Sequence, residues 1–170
     1  MPLRKIVTLP DPILRHKAHP VTRFDADLQS LINDMIETMR LAPGVGLAAP
    51  QVGIPSRVIV VEYPEDEEQE DAPKKLFAVV NPEIKEISAE TELGIEGCLS
   101  IPGLHGEVER ALTVTVKGQT RHGKPVKIKA KGWTARIFQH EVDHINGVVF
   151  TDRAVRVWRP EPEEPVRDNV

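Results

Sequence analysis

Residues 139–147 read QHEVDHING, and this stretch decides what the rest of the chain must be folded around. On a helix, residues i and i+4 share a face, with Cβ atoms about 5–6 Å apart. His140 and His144 can therefore converge on one ion. Glu141, offset by one position, can lean over that ion without ligating it, where a base acting on a metal-bound water belongs. Without a metal, the same residues would form a polar face of an exposed helix. Ile137, Val142 and Ile145 carry helical spacing across residues 134–146, and Gly147 is a natural stop.

A catalytic metal site needs a third protein ligand and an open position. No histidine follows His144, and the later glutamates, Glu161, Glu163 and Glu164, lie in a proline-rich tail that cannot hold a ligand rigidly. Upstream stands Cys98, the chain's single cysteine, in the irregular, glycine-bounded stretch EGCLSIPG at residues 96–103. A lone cysteine is commonly a small buried hydrophobe. A thiolate with two imidazoles would instead make a three-ligand site with one position left for water.

Residues 24–44 read FDADLQSLINDMIETMRLAPG, with apolar residues at Leu28, Leu31, Ile32, Met35, Ile36 and Met39. That spacing predicts an amphipathic helix with Asp25 as its N-cap, stopped by the APG at residues 42–44. The next segment, GVGLAAPQVG at residues 44–53, is small and apolar with three glycines, and fits neither regular period. It reads as a loop whose backbone passes close to something. Strands are predicted at residues 57–62, 77–81 and 83–92, then at 111–120 and 125–132, with a tight turn at His122-Gly123. A helix, many strands, then a helix argues for an α+β fold.

Two segments look solvated. Residues 64–75, PEDEEQEDAPKK, are acidic and nearly free of apolar side chains, which predicts a solvated hairpin excursion. Residues 156–170 are charged and rich in proline, so a folded unit of residues 1–155 is expected to end in an extended or disordered tail.

A chain of 170 residues can bury about 70% of its unfolded surface, enough for a core without disulfides or an oligomer, so a monomer is expected. A net charge of −4 argues against a strongly basic nucleic-acid binder, and direct DNA binding is not expected. One cysteine permits no internal disulfide and fits a reducing compartment. No apolar run of signal-peptide or membrane-span length is evident, so a soluble, cytoplasmic protein is expected, with no membrane attachment.

GVGLAAPQ (residues 44–51), EGCLS (96–100) and QHEVDH (139–144) together resemble the three motifs of the peptide deformylase family, in that order. The resemblance runs from LPDPILR at residue 9 to VVFTDR ending at residue 153. It implies mixed, mainly antiparallel sheets around a C-terminal metal-binding helix, with the N-terminal amphipathic helix packed outside. It implies Cys98, His140 and His144 as metal ligands, Glu141 as general base and acid, and Gln51 with the Leu99 backbone N–H as oxyanion donors. The Gly46 backbone matches a position that bonds substrate, and Gly44, Val45, Trp133, Arg136 and Ile137 match pocket-lining positions, Arg136 through its aliphatic stem. Glu96 and Arg110 match positions that pair to support the Cys98 loop, and His105 lies near a position where some members hold a peptide-contacting arginine. Asp143 faces away from the histidines and reads as structural, while His16, His19 and His122 read as solvated.

The implied reaction is removal of the formyl group from the N-formylmethionine of nascent chains, releasing formate, with metal-bound water as nucleophile. The implied ion is Fe²⁺, although a Cys-His₂ site also takes Zn²⁺, Ni²⁺ or Co²⁺. The implied partners are a formylmethionyl peptide and, transiently, the ribosome. Some members dock there through a C-terminal helix, and the proline-rich tail of this chain departs from that pattern. A zinc endopeptidase, a closed metal-binding domain and a Cys98 nucleophile with a histidine base are the competing readings.

Overall fold

The computed structural model describes residues 3–69 and 71–160. Asp25 acts as the sequence predicts: its Oδ1 accepts from the Leu28 N–H at 3.0 Å and starts helix α1 (Ala26–Leu41). Strands β1 (Gly46–Ala48), β2 (Val58–Pro64), β3 (Lys74–Ile87), β4 (Thr91–Cys98), β5 (Ile101–Ala111), β6 (Thr113–Gln119) and β7 (Pro125–Lys131) follow. Helix α2 (Gly132–Ile145), the single turn α3 (Phe150–Arg153) and strand β8 (Arg156–Trp158) complete the order.

Five strands form one sheet in the order β1-β2-β3-β6-β7, and three form a second in the order β4-β5-β8. All these neighbours pair antiparallel. The α+β expectation holds, as does the placement of α1 outside and α2 at the centre.

Strand β2 shows why. Val58 and Val60 pack with Leu28, Ile32, Met35 and Met39 of α1, while Ile59 and Val61 pack with Ile137, Phe138 and Val142 of α2. Successive side chains of a strand point to opposite faces. A helix on each face therefore requires an unbroken apolar run rather than an alternating one. The far edge, β7, is blunted by exposed Lys127, Lys129 and Lys131, a charge pattern that discourages pairing with another chain.

Three expectations are corrected. Residues 44–53 are not a loop throughout: Gly46–Ala48 is a strand on β2, and Ala49–Val52 is one 3₁₀ turn. Residues 83–92 are not one strand. The chain leaves β3 after Ile87 and enters the other sheet at Thr91, through a turn in which Ser88 Oγ donates to the Glu90 carbonyl at 2.7 Å. Cys98 does not sit in an irregular segment; it ends β4 and pairs with Ile101 across a tight connection. The first tail residues, Arg156–Trp158, are extended and take the third place in the small sheet, and residues 161–170 lie outside those described. Among the described residues no helix is long and apolar enough to cross a membrane.

Candidate metal centre

Residues 135–145 of α2 are buried throughout, although they include Arg136, Gln139, His140, Glu141, Asp143 and His144. A helix enclosed on all sides is ordinarily apolar. Each polar group there must be paired or serve a purpose.

Gln139 is paired structurally. Its side-chain amide donates to the Ala111 carbonyl and accepts from the Ala111 N–H, both at 3.0 Å, which ties α2 to the end of β5. Asp143, expected to face away from the histidines, accepts from Arg110 at 2.7 Å and from Arg153 at 2.6 and 3.0 Å. Arg110 in turn forks onto Glu96 at 2.9 and 3.0 Å, as the resemblance implied.

Glu96 is the hub of this arrangement. It is fully buried, and besides Arg110 it accepts from Arg136 Nη1 at 2.7 Å and meets His140 Nδ1 at 2.9 Å. Burial alone would raise the pKa of its carboxyl. The bonds from His140 and Arg110 outweigh that and hold it well below the usual carboxylate range. With Nδ1 committed to a carboxylate, His140 presents Nε2 as its lone-pair nitrogen.

That nitrogen points at the other candidate ligands. His140 Nε2 and His144 Nε2 are 3.1 Å apart, and His144 Nε2 is 3.3 Å from Cys98 Sγ. All three ligand atoms lie within 4.8 Å of one another in the interior. Tetrahedral ligation with bonds of about 2.0–2.3 Å separates ligand atoms by roughly 3.3–3.6 Å. The cluster thus fits a single ion. Burial, with His140 and Arg110 adding to it, pushes His144 well below its ordinary pKa and keeps it a neutral imidazole. Burial first, and then the Glu141 charge, push the Cys98 thiol up. A cation at the cluster opposes both of these pushes on Cys98, because a coordinated thiol is held as thiolate.

Glu141 supplies the second test of fit. It is fully buried, and neither carboxylate oxygen has a hydrogen-bond partner among the described residues. Burial, followed by the charge of Glu96, raises its pKa well above the usual carboxylate value. A buried carboxyl with no hydrogen-bond partner among the described residues keeps both oxygens available to a bound group. Gly46 makes room for it: a Cβ there would lie 2.5 Å from Glu141 Oε2 and 2.9 Å from Ile137 Cγ2. The close backbone approach anticipated for residues 44–53 is thus an approach to Glu141.

Gln51 is completely buried in the 3₁₀ turn. Its Oε1 accepts from the Ala48 N–H at 3.0 Å, which aims Nε2 at Cys98 Sγ, 3.6 Å away, and at Ser100 Oγ, 3.1 Å away. Leu99 lies between Cys98 and Ser100 in the β4–β5 connection. Val45, Trp133 and Ile137 join one apolar cluster, and Gly44 precedes Val45 at the mouth of β1. Arg136 is more engaged than the sequence implied, since its guanidinium bonds Glu96, the Val108 carbonyl and the Glu92 carbonyl. Only its stem and its face against Trp133, 5.3 Å from the ring centre, remain for a pocket. Trp133 and Arg136 line a cleft of about 610 Å³ together with Gly94. His105 is buried on β5 with its ring edge-on to Trp158.

The bond from His140 to Glu96 was not anticipated from the sequence. The signal was available, because a ligating imidazole ordinarily needs an acceptor for its second nitrogen, and Glu96 stands two residues before Cys98. Arg153, which no local pattern connects to Asp143, was not anticipated either.

The sequence model of the polypeptide deformylase family matches residues 3–159. Peptide deformylase of Halothermothrix orenii is 50% identical over 157 residues, covering 92% of this chain and 97% of the relative. That of Desulforudis audaxviator is 45% identical over 159 residues, covering 94% and 98%. The crystal structure of the Thermotoga maritima peptide deformylase superposes with a TM-score of 0.82 at 45% identity, over 92% of this chain and all of that one. A class I type b peptide deformylase from Acinetobacter baumannii, solved with Met-Ala-Ser bound, gives 0.82 at 43% identity over 89% and 98%. With a cysteine and two histidines gathered in its interior, and with likeness along nearly its whole length, the chain is a member of the polypeptide deformylase family.

Proposed function

We propose that this protein hydrolyses the formyl amide at the amino terminus of formylmethionyl polypeptides, with Cys98, His140 and His144 holding one divalent ion and Glu141 moving the proton. The observation that carries the assignment of roles is Glu141, buried beside the three ligand atoms with both oxygens free of protein partners among the described residues.

When bound, a divalent ion there supplies Lewis acidity, polarising the formyl carbonyl and making water acidic enough to deprotonate near neutral pH. Glu141 takes the proton from the attacking water and delivers it to the departing amine, a role worth about 10²- to 10⁴-fold. Gln51 Nε2, already aimed at Cys98, and the Leu99 N–H donate to the oxyanion as the carbonyl carbon becomes tetrahedral. One such donor typically contributes about 3–4 kcal/mol to the rate. Glu96 keeps His140 in the tautomer that offers Nε2.

The Gly46 backbone, which has no side chain to obstruct it, offers hydrogen bonds to the incoming peptide. Gly44, Val45, Trp133, Ile137 and the stem of Arg136 receive the methionine side chain. The relative solved with Met-Ala-Ser bound supports a peptide of this kind as ligand. Fe²⁺ is the proposed ion. The protein is proposed to act as a cytoplasmic monomer that meets nascent chains transiently at the ribosome.

A Cys98 nucleophile is the weaker reading, because burial pushes that thiol up rather than down. Formate release from formyl-Met-Ala-Ser, measured against the unformylated peptide and against cleavage of internal bonds, tests the proposal. Formate with little internal cleavage is the expected result; internal cleavage without formate would replace the deformylase with an endopeptidase.

A further inference from the structure

The acidic hairpin between β2 and β3 was expected to be solvated, and Glu65, Asp66, Glu68 and Gln69 are indeed exposed. Glu67 is not. It is half-buried, and its Oε1 accepts from the Trp133 N–H at 2.6 Å, at the first turn of α2. We propose that Glu67 is a positioning residue for the substrate pocket: its carboxylate fixes the start of α2 and, through that turn, holds Trp133 against the methionine side chain. The inference rests on the deformylase reading above.

A helix begins with N–H groups that have no partner inside it. The residue before α2, Lys131, provides no side-chain cap, and Glu67 supplies one from a distant segment. A negatively charged acceptor suits a helix N-terminus, and a bond this short is of the charge-assisted kind. The chain is shaped to admit the carboxylate. Gly132 has φ +61°, a conformation that strains any side chain, and a Cβ there would meet Glu67 Oε2. Glu67 also lines two clefts, the one of about 610 Å³ with Trp133, Gly94 and Arg136, and another of about 750 Å³ over β3, β6 and β7.

The effect of losing this bond falls on one end of α2. Trp133 is one turn from Ile137, and both belong to the apolar cluster that includes Val45. His140, Glu141 and His144 lie two turns or more beyond, and that half of the helix is anchored independently by Glu96 on His140 and by Arg110 on Asp143. Releasing Glu67 therefore loosens the pocket wall while leaving the ligand cluster in place.

The test uses the full-length, metal-loaded protein with formyl-Met-Ala-Ser. E67A is expected to raise KM about five- to tenfold, the range that a lost helix cap of ordinary strength supports. kcat should stay within about twofold and the metal content unchanged. E67Q, whose amide oxygen can accept the same bond, should recover most of the KM, and E65A should leave it at the wild-type value. In a W158F background, E67A should shift Trp133 emission to longer wavelength, a readout that does not depend on turnover. An unchanged KM in E67A, a fall in kcat matched by metal loss, or an equal defect in E65A would overturn the proposal. If the unmodified protein released no formate, the deformylase reading would fall first and this inference with it. Formate release with a wild-type KM in E67A would overturn this inference alone.

Discussion

Glu96 Oε1 lies 2.9 Å from His140 Nδ1, and the same carboxylate takes bonds from Arg110 and Arg136. One buried anion thus orients a metal ligand and neutralises two buried cations. Removing it uncovers both functions. Glu96→Ala should destabilise the fold by about 3–5 kcal/mol, the cost of stranding buried charge, read as a lower midpoint in urea unfolding. Glu96→Gln, which keeps the shape, should still weaken metal affinity about 10- to 100-fold, measured by competition with a chromogenic chelator.

Gly46 lies so close to Glu141 that a single added methyl group reports on the carboxylate proposed to move the proton. Gly46→Ala would place a Cβ 2.5 Å from Glu141 Oε2, and the carboxylate must move. Overpacking of this kind costs about 1–3 kcal/mol. Formate release should fall at least about tenfold while the protein retains its ion, checked by steady-state kinetics alongside metal analysis.

Gln51 is held by Ala48 and aims its amide at Cys98. Gln51→Ala should lower kcat about 10²- to 10³-fold through loss of an oxyanion donor, with a smaller change in KM. Stopped-time formate assays across substrate concentration separate the two.

Metal removal should soften the whole centre, because Cys98 ends β4 while His140 and His144 sit on α2, so the ion links two elements. An ion present at 100 times its dissociation constant stabilises the fold by about 2.7 kcal/mol. Dialysis against a chelator should therefore lower the melting temperature by several degrees, and Fe²⁺, Zn²⁺, Ni²⁺ or Co²⁺ should each restore it. Calorimetry of the apo and reloaded protein checks this.

Much of this centre could be read from residue types and spacing. His140, Glu141 and His144 lie within one stretch of helix, where the i, i+4 rule acts locally, and Asp25 capped its helix as predicted. Cys98 became a candidate ligand through the resemblance of EGCLS to a family motif, since a lone cysteine is by itself more commonly a small buried hydrophobe. What stayed hidden depends on contacts between distant segments. The strand at Gly46–Ala48 is short and rich in small residues, and it is made a strand by β2 rather than by its own propensity. The break at residues 88–90 rests on a serine turn inside a run that otherwise alternates like a strand. The guanidinium of Arg136 was assigned no partner because Glu96 lies 40 residues away in sequence. Glu67 was indistinguishable from its acidic neighbours until the fold brought it to α2.

The most direct measurement is formate release by Glu141→Ala set beside its metal content. One ion per chain is expected, as in the unmodified protein, with turnover reduced by at least about 10². Unimpaired formate release from a variant still carrying its ion would show that the proton travels by another route, and the role given to Glu141 would have to be abandoned.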